Sequence, residues 1–229
     1  MTNTLHQNIS QIRSRLSKAT DAANRELDSV KLIAVSKTKP ANAIKAIYDT
    51  GQRDFGENYV SEAVEKISAL KSLDICWHFL GPLQSNKTRL VATNFDWIHS
   101  VDRIKIAKRL NEQRPDGLPP LNVCLQVNIP AEPTKSGVAS EAELLDLALA
   151  VSEMDRLALR GIMAIPAPLA DIALQRERFR LIAQLLSIPG LPEEMNELSM
   201  GMSADMESAI AEGATMVRIG TDIFGARYN

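Results

Sequence analysis

The stretch Leu32-Ile33-Ala34-Val35-Ser36-Lys37-Thr38-Lys39-Pro40 holds the unit from which this protein is built. Its apolar, β-rich run ends in a lysine, and Pro40, suited to the first turn of a helix, opens a helical segment that Gly51 terminates. A strand followed by a helix is one βα unit of a parallel sheet, and the unit recurs along the chain. Strands are predicted at Leu32–Lys37, Asp54–Asn58, Ile75–Gly81, Trp97–Asp102, Asn122–Ile129, Leu157–Ile165, Glu197–Gly201 and Met216–Thr221. Helices are predicted between them, at Pro40–Thr50, Tyr59–Lys71, Gln84–Val91, Arg103–Gln113, Ser140–Ser152, Asp171–Leu186 and Ser203–Glu212. An extra helix, Leu5 to Asn24, precedes the first strand. Eight strands alternating with helices in 229 residues predict a single (β/α)8 TIM barrel, with an open doubly wound sheet as the other arrangement of the same pattern. One domain, residues 1–229, is expected. The Pro/Gly-rich loops Arg114–Pro120 and Ile188–Pro192 each join a helix to the next strand and are read as connectors.

With 26 basic and 28 acidic residues the net charge is -2, which offers no global field for nucleic acid or an anionic membrane. No run of about eighteen apolar residues occurs, and the polar N-terminus has no signal-peptide core, so a cytoplasmic protein is expected. Cys76 and Cys124 lie in strand-like stretches and read as reduced core residues. The scattered His6, His78 and His99 have no metal-ligand spacing, and no metal site is expected.

Barrels of this kind carry their chemistry at the C-terminal ends of the strands. Lys37 ends the first strand. An amine there is either a solvated charge or a partly desolvated nucleophile able to condense with an aldehyde. Ser203, read as the N-cap of the helix after the seventh strand, and Gly220-Thr221, at the end of the eighth strand, together form an uncharged anion cradle, although capping and turn chemistry explain each alone. Arg218 alternates with Val217 and Ile219 and shares a face with Gly220. A buried arginine needs an acceptor, and an internal salt bridge with Glu57 or Asp102 is the plain alternative to a ligand. Glu57-Asn58-Tyr59, His78 and Met163 stand where they could face the same mouth; His78 reads equally as a core histidine, and Met163 as packing.

The stretches Leu32–Pro40, Phe55-Gly-Glu-Asn-Tyr-Val60, Trp77-His-Phe-Leu-Gly-Pro-Leu-Gln-Ser-Asn-Lys87, Leu198-Ser-Met-Gly-Met-Ser203 and Val217-Arg-Ile-Gly-Thr-Asp-Ile-Phe-Gly-Ala-Arg227 together resemble the pyridoxal phosphate homeostasis protein family, with no departure at a motif position. The resemblance implies a fold-type III barrel similar to the N-terminal domain of alanine racemase, with pyridoxal 5'-phosphate (PLP) held on Lys37 as an internal aldimine. It implies that Ser203, Gly220 and Thr221 bind the phosphate, that Arg218 faces the pyridine nitrogen, that Asn58 lies near the cofactor, and that Lys135 makes a secondary contact. A protein of this kind binds and buffers PLP in vitamin B6 homeostasis, with PLP-requiring apoenzymes as recipients and no established turnover. An arginine at the ring nitrogen weakens PLP as an electron sink, and a racemase draws its second acid/base group from another domain, which this sequence is not expected to have. A monomer is therefore expected. A PLP-dependent racemase or decarboxylase, and a Schiff-base aldolase acting on a phosphorylated sugar, are the alternative activities.

Overall fold

The computed structural model describes residues 2–128 and 136–225. Lys31–Val35 (β1), Asp54–Glu57 (β2), Cys76–Phe79 (β3), Trp97–Val101 (β4), Leu121–Val127 (β5), Leu157–Ala164 (β6), Glu197–Ser199 (β7) and Met216–Ile219 (β8) pair in parallel, in chain order. β1 closes on β8 with Ile33 opposite Arg218, so the sheet is a barrel rather than the open alternative. The helices are Thr2–Ala22 (α1), Ala41–Tyr48 (α2), Val60–Ala69 (α3), Thr88–Asn94 (α4), Ile104–Gln113 (α5), Glu141–Ser152 (α6), Ile172–Gln184 (α7), Met206–Ala211 (α8) and Thr221–Phe224 (α9). Ile129, the expected end of the fifth strand, lies outside the described residues.

Each predicted strand overruns its observed C-terminal end by one or two residues. The overrun has a physical meaning. Lys37, Asn58, Gly220 and Thr221 are the residues at which the chain leaves the ladder and turns outward over the barrel mouth. Two further corrections fall here. The α8 helix begins at Met206 and its N-cap is Asp205, so Ser203 is not the cap; it lies in the preceding loop, where Asp205 Oδ1 accepts the Met202 N–H at 2.6 Å. The short helix α9, begun at Thr221, was not predicted.

Strand alternation sends Leu32, Ala34, Val217 and Ile219 outward to pack under the helices, and Ile33, Val35, Met163 and Met216 inward. Burying both faces of the sheet in this way is what makes the strands read as continuous apolar runs. Met163 is therefore barrel packing. Threaded through the apolar interior is a polar chain. Arg218 Nη1 donates to Ser199 Oγ at 2.7 Å, and Ser199 Oγ lies 2.8 Å from His99 Nδ1. His99 Nε2 lies 2.9 Å from His78 Nδ1, and His78 Nε2 lies 3.0 Å from Asp54 Oδ1. Lys31 Nζ sits 3.4 Å from the same Asp54 oxygen.

The two ends fix every proton between them. Arginine only donates, and ionised Asp54 only accepts. Although burial pushes the Asp54 carboxyl upward, the His78 hydrogen bond and the Lys31 charge bring it below its ordinary value. Ser199 must accept from Arg218 and donate to His99, which must donate through Nε2 to His78, which must donate through Nε2 to Asp54. Sequence spacing predicted no metal site, yet the fold brings ligand atoms of Asp54, Cys76 and His78 within 4.8 Å of one another at the base of the barrel; there the imidazole N–H and the Lys31 ammonium satisfy the carboxylate.

Nitrogen NMR on the three histidines should show His78 and His99 both as neutral Nε2–H tautomers at neutral pH, and an Nδ1–H form of either ring would overturn the assigned chain. Burial lowers the pKa of both buried rings below the ordinary 6.5, His99 most. Below that value the unfolded chain binds protons that the fold refuses, so stability is full above about pH 6.5 and falls as pH drops through it. Urea midpoints should decline between about pH 7.5 and 5.5, and a flat profile would contradict the neutral pair.

Candidate functional site

Lys37, Asn58, Ser203, Arg218, Gly220 and Thr221 all line one cavity of about 310 Å³ at the C-terminal end of the strands. Their arrival from four segments follows from the turns after β1, β2, β7 and within β8 and its exit. The remaining wall is partly apolar, from Val35, Leu80, Ile165 and Met202. An amine, a guanidinium, hydroxyls and apolar side chains thus meet in one cavity of a size that takes a small ligand.

Arg218 is 5% exposed and makes no salt bridge with either residue that sequence reasoning offered. Glu57 is held by Lys66 at 2.7 Å and Asp102 by Arg103 at 2.7 Å. The acceptors of Arg218 are the Ser199 hydroxyl and, through Nη2 at 2.9 Å, the Ala164 carbonyl. Both are uncharged. Burial lowers the guanidinium pKa to about 10, with Asp205 pulling the other way, so the group is still a cation at neutral pH. A buried cation with no carboxylate in contact among the described residues, at the wall of a cavity, leaves donor capacity and positive potential for a ligand acceptor such as a ring nitrogen or an anion.

The cradle is built by close approach. At Gly81 a Cβ would lie 2.1 Å from the Asn58 carbonyl, so only glycine lets the β2 exit bring Asn58 to the cavity. At Gly220 a Cβ would meet the Val35 carbonyl at 3.2 Å, so this glycine also serves the tight β1–β8 contact, beyond any approach of a ligand. Gly220 is the residue before α9, and Thr221 opens it.

Sequence reasoning missed Arg15. From α1 it donates to the Ser203 carbonyl at 3.0 Å, to Glu207 at 2.9 Å and to Asp222 at 2.9 Å. Asn8 donates to the Ile223 carbonyl at 3.0 Å. The extra helix thereby fastens the β7–α8 loop to α9, the two segments that carry Ser203 and Thr221. A half-buried arginine on an amphipathic helix carries no sequence signal of such a role. The inward-facing pair His78 and His99 lies beneath the cavity rather than at its wall, and Glu57 and Tyr59 do not line it either. Lys135, Arg227 and Tyr228 lie outside the described residues.

Residues 4–228 match the family of the alanine racemase N-terminal domain. The pyridoxal phosphate homeostasis protein of Pseudomonas aeruginosa is 54% identical over 224 residues, covering 98% of this chain and 96% of that protein. The solved structure of PipY from Synechococcus elongatus with PLP bound is similar at TM-score 0.82 and 39% identity, covering 96% of this chain and all of that one. Alanine racemase from Corynebacterium glutamicum, at 16% identity and TM-score 0.68, shares the barrel across 99% of this chain and 61% of its own length. At this identity over nearly the whole of both chains, and with the same closed βα barrel, the chain belongs to the pyridoxal phosphate homeostasis protein family.

Proposed function

We propose that this protein binds PLP in the cavity at the barrel mouth, tethers it covalently through Lys37 and releases it again, serving PLP homeostasis without turnover of an amino acid. The observation that carries the reading is the convergence on one cavity of the Lys37 amine, the Ser203 and Thr221 hydroxyls and an Arg218 guanidinium with no carboxylate in contact among the described residues. PLP supplies an aldehyde for condensation, a phosphate dianion and a pyridine nitrogen.

Each of the chain's own groups has a matching task. Lys37 would supply the amine that holds PLP through its aldehyde, a condensation that loses water and is reversed by adding it back. Ser203, Gly220 and Thr221 hold the phosphate with hydroxyls and backbone rather than with charge. Arg218 would offer a donor to the ring nitrogen and would leave that nitrogen unprotonated, because a guanidinium gives up no proton at working pH. Asn58 lies beside the tether.

Restraint on turnover has support in the lining. Among the described residues the cavity's titratable side chains are Lys37, Lys39 and Arg218; no tyrosine, histidine or carboxylate lines it. An acid/base pair on opposite faces of a substrate is the requirement of racemisation. The surrounding reading is of a cytoplasmic monomer that delivers PLP to apoenzymes. Among the described residues no helix is long and apolar enough to cross a membrane.

Purified protein given PLP should be yellow, and Lys37→Ala should abolish the visible band and the borohydride-fixed mass adduct; a colourless wild type in excess PLP overturns the reading. A sugar phosphate trapped on Lys37 in place of PLP would point to the aldolase chemistry, and Lys37-dependent exchange of amino-acid Cα protons in deuterated water to a racemase or decarboxylase. Light scattering should give a monomer. Arg15→Met removes the fastening of the two phosphate segments, and PLP retention should weaken roughly three- to tenfold, on the order of 1 kcal/mol for a partly exposed multidentate pair, as read by dialysis against apoprotein.

A further inference from the structure

The backbone on either side of Lys37 is held by charges from α3. Lys66 is buried, and its Nζ donates to the Ser36 carbonyl at 2.8 Å, to Glu57 Oε1 at 2.7 Å and to Glu62 Oε1 at 2.5 Å. Ser36 Oγ donates to Glu57 Oε1 at 2.6 Å. On the far side of the lysine, the Thr38 backbone N–H donates to Glu62 Oε1 at 2.6 Å. Every one of these bonds ends on a residue adjacent to Lys37 or on the next member of the cluster.

Two observations say that the arrangement is costly. Thr38 has φ +64°, one of two non-glycine positive φ values among the described residues, and a β-branched residue is strained there. Glu57 is fully buried, and its Oε2 has no hydrogen-bond partner among the described residues. Burial raises its pKa, with Lys66 and Ser36 offsetting part of the shift. A strained peptide beside the reactive residue, held by a buried cluster that bonds to both flanking peptides, is the arrangement expected of a device that fixes the direction of one side chain.

We propose that Glu57, Lys66 and Glu62 are positioning residues that clamp the Ser36–Thr38 backbone and so direct the Lys37 amine into the cavity; the proposal rests on the reading of Lys37 as the PLP tether. Glu62 does the decisive work, since its carboxylate takes the N–H of the strained residue. Its side chain is 30% exposed, so replacing it does not strand a buried charge as replacing Lys66 would.

The test compares PLP with pyridoxine 5'-phosphate, which has the same ring and phosphate but an alcohol in place of the aldehyde. In Glu62→Ala the visible band of bound PLP should form about tenfold less readily, while affinity for pyridoxine 5'-phosphate stays within twofold of wild type. Glu62→Gln keeps an oxygen acceptor and should restore the band. Glycine takes a positive φ without strain, so Thr38→Gly in the Glu62→Ala background should restore it as well. Equal loss of both ligands, no loss of either, or no rescue by Thr38→Gly overturns the clamp. A second readout needs no cofactor. The Thr38 amide should exchange with solvent about tenfold or more faster in Glu62→Ala than in wild type, with core amides unchanged; an unchanged Thr38 rate overturns the clamp. If wild type fails to trap PLP on Lys37 while Thr38 protection depends on Glu62, the tether reading fails and the clamp stands.

Discussion

A guanidinium buried inside a barrel, held by a hydroxyl and a carbonyl and touched by no carboxylate among the described residues, is the constraint on which the rest of this interior depends. Taking an ion out of water costs several kcal/mol even after relaxation, and uncharged acceptors return only part of that. A pKa near 10 records the residual cost. Ionised Asp54 takes the His78 Nε2–H, so neutral His78 accepts the His99 Nε2–H through Nδ1, and neutral His99 accepts the Ser199 hydroxyl proton, which leaves the Ser199 lone pairs to Arg218. The cation at the mouth of the barrel thus ends a chain whose hydrogen-bond directions are set by the carboxylate at its base. Two histidines held neutral add no second charge beside the first, which is why the interior tolerates them.

Much of the fold was legible because a closed parallel barrel buries both faces of each strand, and Leu32–Val35 or Val123–Leu125 then stand out as apolar runs between amphipathic helices. Strand ends were less legible. Residues such as Lys37 and Thr221 follow apolar runs without a break, and nothing in residue type marks where the ladder stops. The six residues named for the site do share one cavity, since strand ends are where a barrel must gather its functional groups. Partner choice was not legible. Glu57 and Asp102 were offered to Arg218, but a lysine nine positions along from Glu57 and the arginine next to Asp102 hold them instead. Charge pairing depends on side-chain direction in three dimensions, which alternation alone does not supply. The same limit hid the histidine chain, whose members come from β2, β3, β4, β7 and β8.

The added helix α1 shows how a peripheral element reaches the site. Its apolar face, with Ile9 and Ile12 buried, gives it a fixed seat on the barrel. Only from a fixed seat can Arg15 hold the Ser203 carbonyl and the α9 carboxylate of Asp222 at one separation. Packing energy supplies the rigidity, and the polar contacts use it.

Sequences that fold well agree with local rules almost everywhere, and departures collect where function requires them. Three departures stand out among the described residues: a threonine at positive φ, a buried arginine contacting no carboxylate, and a buried glutamate with one oxygen unpartnered. They lie just past the end of β1, on β8 and at the end of β2. Those strands are neighbours, paired β2 to β1 and β1 to β8. Three costs on three adjoining strands each fall at or next to a residue lining the same cavity. Elsewhere the buried Arg114 gives its donors to the carbonyls of Pro119, Ala92 and Phe95, so what sets Arg218 apart is that it lines the cavity with the other two costs beside it.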